Sequence, residues 1–295
     1  MVMKMLRDER AYQVVSYAVI ALLSLASAYP IIYVLSMSLV SEQEWVQRSG
    51  FIFLPYRPTL LAYERLFSGS VFTGALKVSV MRAVIGTAFT LTMTLIAAYV
   101  VSRKHLVGRK LFLLLILITI LFSSGLIPTY LVLKNLHLLD TFWSLIIPGL
   151  VDSWSLLVLK QFFEGIPKEI EESAEIDGAG DWTLLSRIIL PMSKPALAAI
   201  GLFIAVAHWN SWFDAFIYIN NPHWMPLQLI MRNMFANANI GSNFNPTSVL
   251  NPAQRVSTES LKMAVAVIGT VPILLVYPFL QKHFTKGMYL GAVKG

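Results

Sequence analysis

Six apolar runs, each long enough to cross a lipid bilayer, decide most of what this 295-residue chain can become. They extend over Val14–Val40, Val78–Val101, Leu111–Leu133, Phe142–Phe163, Ala196–Ile219 and Leu261–Leu280. A hydrocarbon core about 30 Å thick needs about 20 residues of helix, and only helices or closed barrels satisfy their backbone there. The runs therefore predict an all-α integral membrane protein, a six-transmembrane-helix bundle. Composition agrees, with 56% hydrophobic and 13% charged residues and a mean hydropathy of +0.66. Soluble domains carry about 25% charged residues. So little charge cannot cover a 33.0 kDa globule in water.

The first run follows Lys4, Arg7 and Arg10 and passes through Ala26-Ser27-Ala28, as a signal peptide with a small-residue cleavage site would. Apolar character resumes at once through Ile31, Ile32, Val34, Leu35 and Leu39. That length favours an uncleaved first helix. Orientation follows from Lys and Arg near the span ends. One side of the membrane receives Lys4, Arg7 and Arg10, then Arg103, Lys104, Arg109 and Lys110. The same side receives Lys168, Arg187 and Lys194, then Lys282, Lys286 and Lys294. Longer loops opposite hold fewer cations: Arg48, Arg57, Arg65, Lys77, Lys134, Arg232 and Arg255. Both termini are expected in the cytoplasm. The net charge of +7 resides in these anchors and does not call for nucleic acid. With zero Cys there is no disulfide, thiol nucleophile or thiolate metal site.

Two loops on the less basic side are long, Ser41–Lys77 and Asn220–Ser260. The second carries Asn220-Asn221-Pro222, Asn245-Pro246 and Asn251-Pro252, which favour turns over strands. The segment between spans four and five is more informative. It runs from Glu164 through Pro167, Glu169, Glu171 and Glu172 to Gly178, and on to Leu190-Pro191. Pro167 suits the first turn of a helix, and the acidic residues after it complement the positive end of the dipole. Gly178 is placed to end that helix. Asp181 is expected to cap a second short helix that Pro191 stops. The result is a helix–Gly–helix element lying on the cytoplasmic face.

Glu172-Ser173-Ala174, Gly178 and Ile188-x-Leu190-Pro191 fit the spacing Glu-x-Ala-x-x-x-Gly-x(9)-Ile-x-Leu-Pro. This resembles the EAA loop of permease subunits in binding-protein-dependent ABC importers. Ser173 stands where that family usually has Ala. Trp209-Asn210-x-x-Phe213, the stretch Gly125-Leu126-Ile127-Pro128 and the tail from Tyr277-Pro278 to Lys294-Gly295 look like the LplC branch of MalG-like carbohydrate permeases. Within that branch the chain resembles a permease subunit of a bacterial alginate importer. The resemblance implies a type I ABC importer permease fold in the bacterial inner membrane. It implies a cytoplasmic N-terminus at 1–13, a first span at 14–40 and a periplasmic loop at 41–77. A core transmembrane domain at 78–282 would follow, with the EAA loop at 164–191, a periplasmic loop at 220–260 and a cytoplasmic tail at 283–295. The implied partners are a second homologous permease, two ATPase subunits, a periplasmic solute-binding protein and a carbohydrate. Glu172 and Gly178 carry over as ATPase-coupling positions, with Ser173, Ala174, Asp177, Ala179, Leu190 and Pro191 in support. No Gly-x-x-x-x-Gly-Lys-Ser/Thr cradle occurs, so ATP and Mg are expected on the ATPase subunits and no cofactor in this chain.

Polar residues at membrane depth are costly and by default face a bundle interior or a wet cavity. Asp152 is expected near the middle of span four, followed by Trp154. Span five offers His208, Asn210, Trp212 and Asp214. On one continuous helix Asn210 and Asp214 would share a face, as would His208 and Trp212. Hydroxyl-binding groups beside indole rings suit a sugar pathway. Interhelical packing and hydrogen bonding account for the same residues equally well. His208 and Asp214 lack metal-ligand spacing. A permease for another solute, a self-contained secondary transporter and a membrane hydrolase are the rival readings. The absence of inverted repeats and of a Gly-x-Ser-x-Gly setting weighs against the last two.

Overall fold

The computed structural model describes residues 2–48, 52–122, 124–236 and 256–292, and among them there is helix and no strand. In chain order the helices are α1 (Val2–Ser38), α2 (Glu42–Gln47), α3 (Leu61–Ser68) and α4 (Ser70–Ser102). They continue as α5 (Arg109–Leu121), α6 (Leu126–Asn135), α7 (Ser153–Glu164), α8 (Lys168–Ile176) and α9 (Asp181–Met192). Last come α10 (Lys194–Asn210), α11 (Phe213–Tyr218), α12 (Leu227–Ala236) and α13 (Thr258–Ala292). The loops at 41–77 and 220–260 thus hold short helices among their described residues, and in the second, where composition favours turns over strands, there is no strand among them.

Three spans are single apolar helices: Tyr12–Ser38, Ser70–Ser102 and Thr258–Val276. Three more are bent pairs, α5 with α6, the 3-10 turns of Phe142–Gly149 with α7 at 49°, and α9 with α10 at 83°. Counting each pair once restores the six spans expected from the sequence. Large apolar side chains face outward, among them Leu22, Leu25, Leu111 and Leu121 at 60–73% exposure on α1 and α5. No residue of α5 is buried. A helix apolar all round and uncovered by protein has lipid as its solvent.

Backbone packing divides the chain into two units, Met1–Ser70 with Asn233–Val271, and Val71–Arg232 with Pro272–Gly295. In the first, Met37, Val40 and Ile52 form a buried cluster with Tyr33, Trp45 and Met263 against it. Ser260 Oγ donates to the Val40 carbonyl at 2.9 Å, tying the start of α13 to the end of α1. In the second, Ala98 and Tyr99 of α4 pack with Leu156, Leu159 and Phe163 of α7, Leu184, Leu185 and Ile189 of α9, and Ile200 and Ile204 of α10. Helix α4 is the centre of this unit. Gly201 sits where an added Cβ would lie 3.1 Å from Leu91 Cδ2, so its lack of a side chain lets α10 approach α4 closely.

One sequence expectation is corrected by these breaks. Span five is not continuous: α10 ends at Asn210 and α11 begins at Phe213, so the helical faces assumed for Asn210 with Asp214 and His208 with Trp212 do not exist. Asp152, near the middle of span four, stands at the break between the 3-10 turns and α7. It caps α7, its Oδ2 accepting from the Ser155 N–H at 3.0 Å. Apolar run length registers depth in the membrane but not where the backbone leaves the helix.

Candidate functional site

A broken span leaves backbone groups without helical partners, and in lipid each needs a protein partner. Helix α4 supplies them. Ser79, Arg82, Thr90, Thr94 and Ser102 are all buried and recur every three, four or eight residues along one face. Thr94 Oγ1 accepts from the Asp152 N–H at 3.0 Å, and Thr90 Oγ1 donates to the Gly149 carbonyl at 3.4 Å. Ser79 Oγ accepts from the Leu227 N–H at 2.8 Å.

Arg82 is the centre of this stripe. Its Nη1 donates to the Ser211 carbonyl and to Asp214 Oδ1, both at 3.1 Å. Its Nη2 donates to the Leu145 carbonyl at 3.3 Å and to Asp214 Oδ2 in an ion pair. One guanidinium therefore holds three segments: α4, the 3-10 turn that opens span four, and the break in span five. Arg82 opens a π-helical turn, Arg82–Gly86. Such turns inside α-helices recur at functional sites because they re-aim side chains. At its other end, a Cβ on Gly86 would lie 2.9 Å from His208 Cε1 and Nε2. The imidazole fills the space the glycine leaves, and its Nε2 is 3.3 Å from Thr90 Oγ1.

Gly86→Ala is expected to displace that ring, because neither backbone nor imidazole can yield as a flexible chain end would. The cost expected for overpacking is about 1–3 kcal/mol, read as a fall in the thermal unfolding midpoint. Gly86→Ala with His208→Ala should recover most of it. An unshifted midpoint in the single variant would remove the contact.

Between these elements lies a cavity of about 430 Å³, lined by Arg82, Thr90, Asp152, Trp154, His208, Ser211, Asp214 and Tyr218 among others. Its volume falls in the range of about 300–1,000 Å³ found for ligand sites. Of the sequence candidates, Asp152, Trp154, His208 and Asp214 converge here, and Asn210 and Trp212 do not. Asn210 is exposed, and Trp212 lies beneath the Arg232 guanidinium, 5.4 Å from its ring centre. Trp154 is 55% exposed and meets Phe203 edge to face at 6.4 Å. The wall combines hydrogen-bonding groups with aromatic faces, which suits a polyhydroxylated ligand. Arg82 and Gly86 escaped the sequence reading. A lone Arg in an apolar run is the signal that marks the first; nothing local marks the second.

At the far end of α4 lies the 164–193 loop. Pro167 precedes α8 rather than opening its first turn, with Glu169 and Glu171 in that turn. Gly178 has φ +81°. Its N–H donates to the Glu175 carbonyl at 3.0 Å, and the Ala179 N–H reaches back to the Ala174 carbonyl at 2.9 Å. That is a Schellman cap, which wants glycine at the left-handed position. Glu172, Ser173, Asp177 and Gly178 are exposed, while Ala174 and Leu190 pack on the core. Ile176 and Trp182, 86% and 73% exposed, flank the turn and give its free surface an apolar character that the motif alone did not predict.

Gly180, not Asp181, stands at the N-cap of α9, and Pro191 lies within that helix, which ends at Met192 with Ser193 as its C-cap. The widened turn Leu184–Ile189 just before Pro191 is π-helical. A wider turn relieves the clash between a proline ring and the carbonyl four residues earlier. The tip Ala238–Asn245 of the 220–260 loop lies outside the described residues. At its start, Asp140 accepts from the N–H of Asn220 and, at 2.8 Å, of Asn221. These two donors, Asn221 foremost, hold the Asp140 carboxyl below the usual range.

A multi-pass helical membrane protein with a polar cavity at broken spans and an exposed bent loop is a permease by class. The family described as binding-protein-dependent transport system inner membrane component matches residues 10–289, and the chain belongs to it. Protein LplC of Bacillus subtilis (strain 168) is 45% identical over 267 residues, covering 90% of this chain and 89% of that one. The polygalacturonan/rhamnogalacturonan transport system permease protein YtcP of the same organism is 40% identical over 287 residues, 97% and 99% of the two chains. A crystal structure of a bacterial ABC transporter involved in the import of the acidic polysaccharide alginate contains a chain 30% identical, with a TM-score of 0.87 over 94% of this chain and 98% of that one. The fold is that of a type I ABC importer permease, in the inner membrane. Its role is transport rather than catalysis.

Proposed function

We propose that this chain is the MalG-like permease subunit of an importer for uronate-containing oligosaccharides, driven by ATPase subunits that dock on the 164–193 loop. The observation that carries the reading is that loop. Its exposed face presents Glu172, Asp177 and Gly178 beside Ile176 and Trp182, while its inner face is packed on the bundle. A second homologous permease completes the pathway, and ATP with Mg is held by the ATPase pair. Both termini and the loop lie in the cytoplasm, on the side rich in Lys and Arg. The 220–260 loop then faces the solute-binding protein. One relative is named for polygalacturonan/rhamnogalacturonan transport and one solved neighbour for import of the acidic polysaccharide alginate, which supports an acidic sugar.

A second reading, a neutral oligosaccharide, has one observation in its favour. Asp152 and Asp214 face the cavity against Arg82 alone, one positive and two negative groups, which leaves this wall at a formal −1 without His208. The test is uptake by the complete complex in proteoliposomes with its binding protein, offering tetragalacturonate, an alginate trisaccharide and maltotriose. The expected result is ATP-dependent entry of an acidic oligomer and none of maltotriose. Entry of maltotriose alone selects the neutral reading. Solute movement by this chain without nucleotide or companions sinks both.

A further inference from the structure

The cavity and the loop are joined by one uninterrupted helix. Helix α4 carries Arg82 at the cavity and, about five turns on, Tyr99 at the loop, with Arg103 as its C-cap. There, Arg103 Nη1 and Nη2 donate to the two oxygens of Glu171 at 2.7 and 3.2 Å, a fork-to-fork pair. The same guanidinium lies over the Tyr99 ring, 4.3 Å from its centre. The Tyr99 hydroxyl reaches the Asp181 carbonyl oxygen at 3.2 Å and Oδ1 at 3.3 Å. Glu171 belongs to α8 and Asp181 to α9, so the two contacts hold both arms of the bent loop on one end of α4. The Arg103 and Glu171 side chains are only 11% and 19% exposed. Bidentate, stacked and screened from water, this pair is far stiffer than a surface ion pair.

We infer that Arg103–Glu171 and Tyr99–Asp181 form the joint through which displacement of the bent loop moves α4, and through α4 the Arg82–Asp214 anchor at the cavity. These are positioning residues: they touch neither nucleotide nor sugar. The inference rests on the function proposed above. A loop held by both arms cannot shift without carrying α4. The two contacts add a polar clamp to the apolar packing of α9 on α4, and loosening that clamp reduces how much of the loop's displacement reaches the cavity.

The chain contains no cysteine, so a single reporter can be placed cleanly. Ala207 lines the cavity and is exposed. With Ala207→Cys in the reconstituted complex, the rate of maleimide labelling is compared between the nucleotide-free and the ATP–vanadate-trapped states. Arg103→Glu is expected to shrink the nucleotide-dependent change in labelling about tenfold, while ATP hydrolysis stays within about twofold. Arg103→Glu with Glu171→Arg should restore the change; a purely structural lesion would not respond to the swap. Full labelling change in Arg103→Glu overturns the joint, as does failure of the swap to restore it. If the charge reversal prevents assembly, Tyr99→Phe decides, since it removes one hydroxyl and nothing else. A reduced change there supports the joint and an unaltered one overturns it. Absence of any nucleotide-dependent change in the wild-type background overturns the proposed function, and the joint with it.

Discussion

Asp214→Ala is expected to destabilise the protein by about 3–5 kcal/mol, because it strands a buried guanidinium. The Arg82 side chain is 3% exposed, and without Asp214 its remaining acceptors are the Ser211 and Leu145 carbonyls. Ser211 Oγ, which donates to Asp214 Oδ1 at 2.8 Å, loses its acceptor as well. The thermal unfolding midpoint of the purified complex should fall sharply, and uptake should fall with it. Asp214→Asn keeps hydrogen-bond acceptance without the charge and should sit between the two. Arg82→Met with Asp214→Leu should regain most of the lost stability, since replacing both members of a buried pair by apolar residues is often neutral. Stability restored without uptake would identify the pair as part of the transport path. An unshifted midpoint in Asp214→Ala would refute the anchor.

Glu172→Lys and Gly178→Asp are each expected to abolish uptake while the chain still inserts and folds. Glu172 is exposed on α8, and surface changes of this kind usually alter stability by no more than about 0.5 kcal/mol. Gly178 has open space around an added Cβ, nothing lying within 4 Å. Its constraint is conformational: φ +81° costs an L-residue about 1–2 kcal/mol, and less for Asp or Asn. Gly178→Asn is therefore the control that carries the backbone cost without the charge. If Gly178→Asp blocks uptake and Gly178→Asn largely preserves it, the loss arises on the partner's side of the surface. Normal coupling of hydrolysis to uptake in Glu172→Lys would remove the docking role.

The bent loop was legible in sequence because its requirements are local. A Schellman turn needs a residue at positive φ, so Gly178 marks the bend wherever the helices go. The cavity was only half legible. Asp152, Trp154, His208 and Asp214 stand out as polar or aromatic residues at membrane depth. Asn210 and Trp212, singled out by the same rule, turn away, because the break at Ser211 and Trp212 rotates the chain between α10 and α11. Arg82 sits in a span otherwise apolar, and its meaning depends on a partner 132 residues along the chain. Gly86 reads as an ordinary glycine until His208 is seen against it.

Hydrophobic run length and the placement of Lys and Arg follow from the solvent. Lipid imposes them residue by residue, so the sequence alone determines that this chain crosses the membrane, how many times, and where its bent loop must turn. Which spans break, and which side chains answer the exposed backbone groups, depends on neighbours distant in the chain. Only the tertiary structure places the polar stripe of α4 against Leu145, Gly149, Asp152 and Ser211, because a hydrogen bond is decided by a few tenths of an ångström between groups that no local pattern relates.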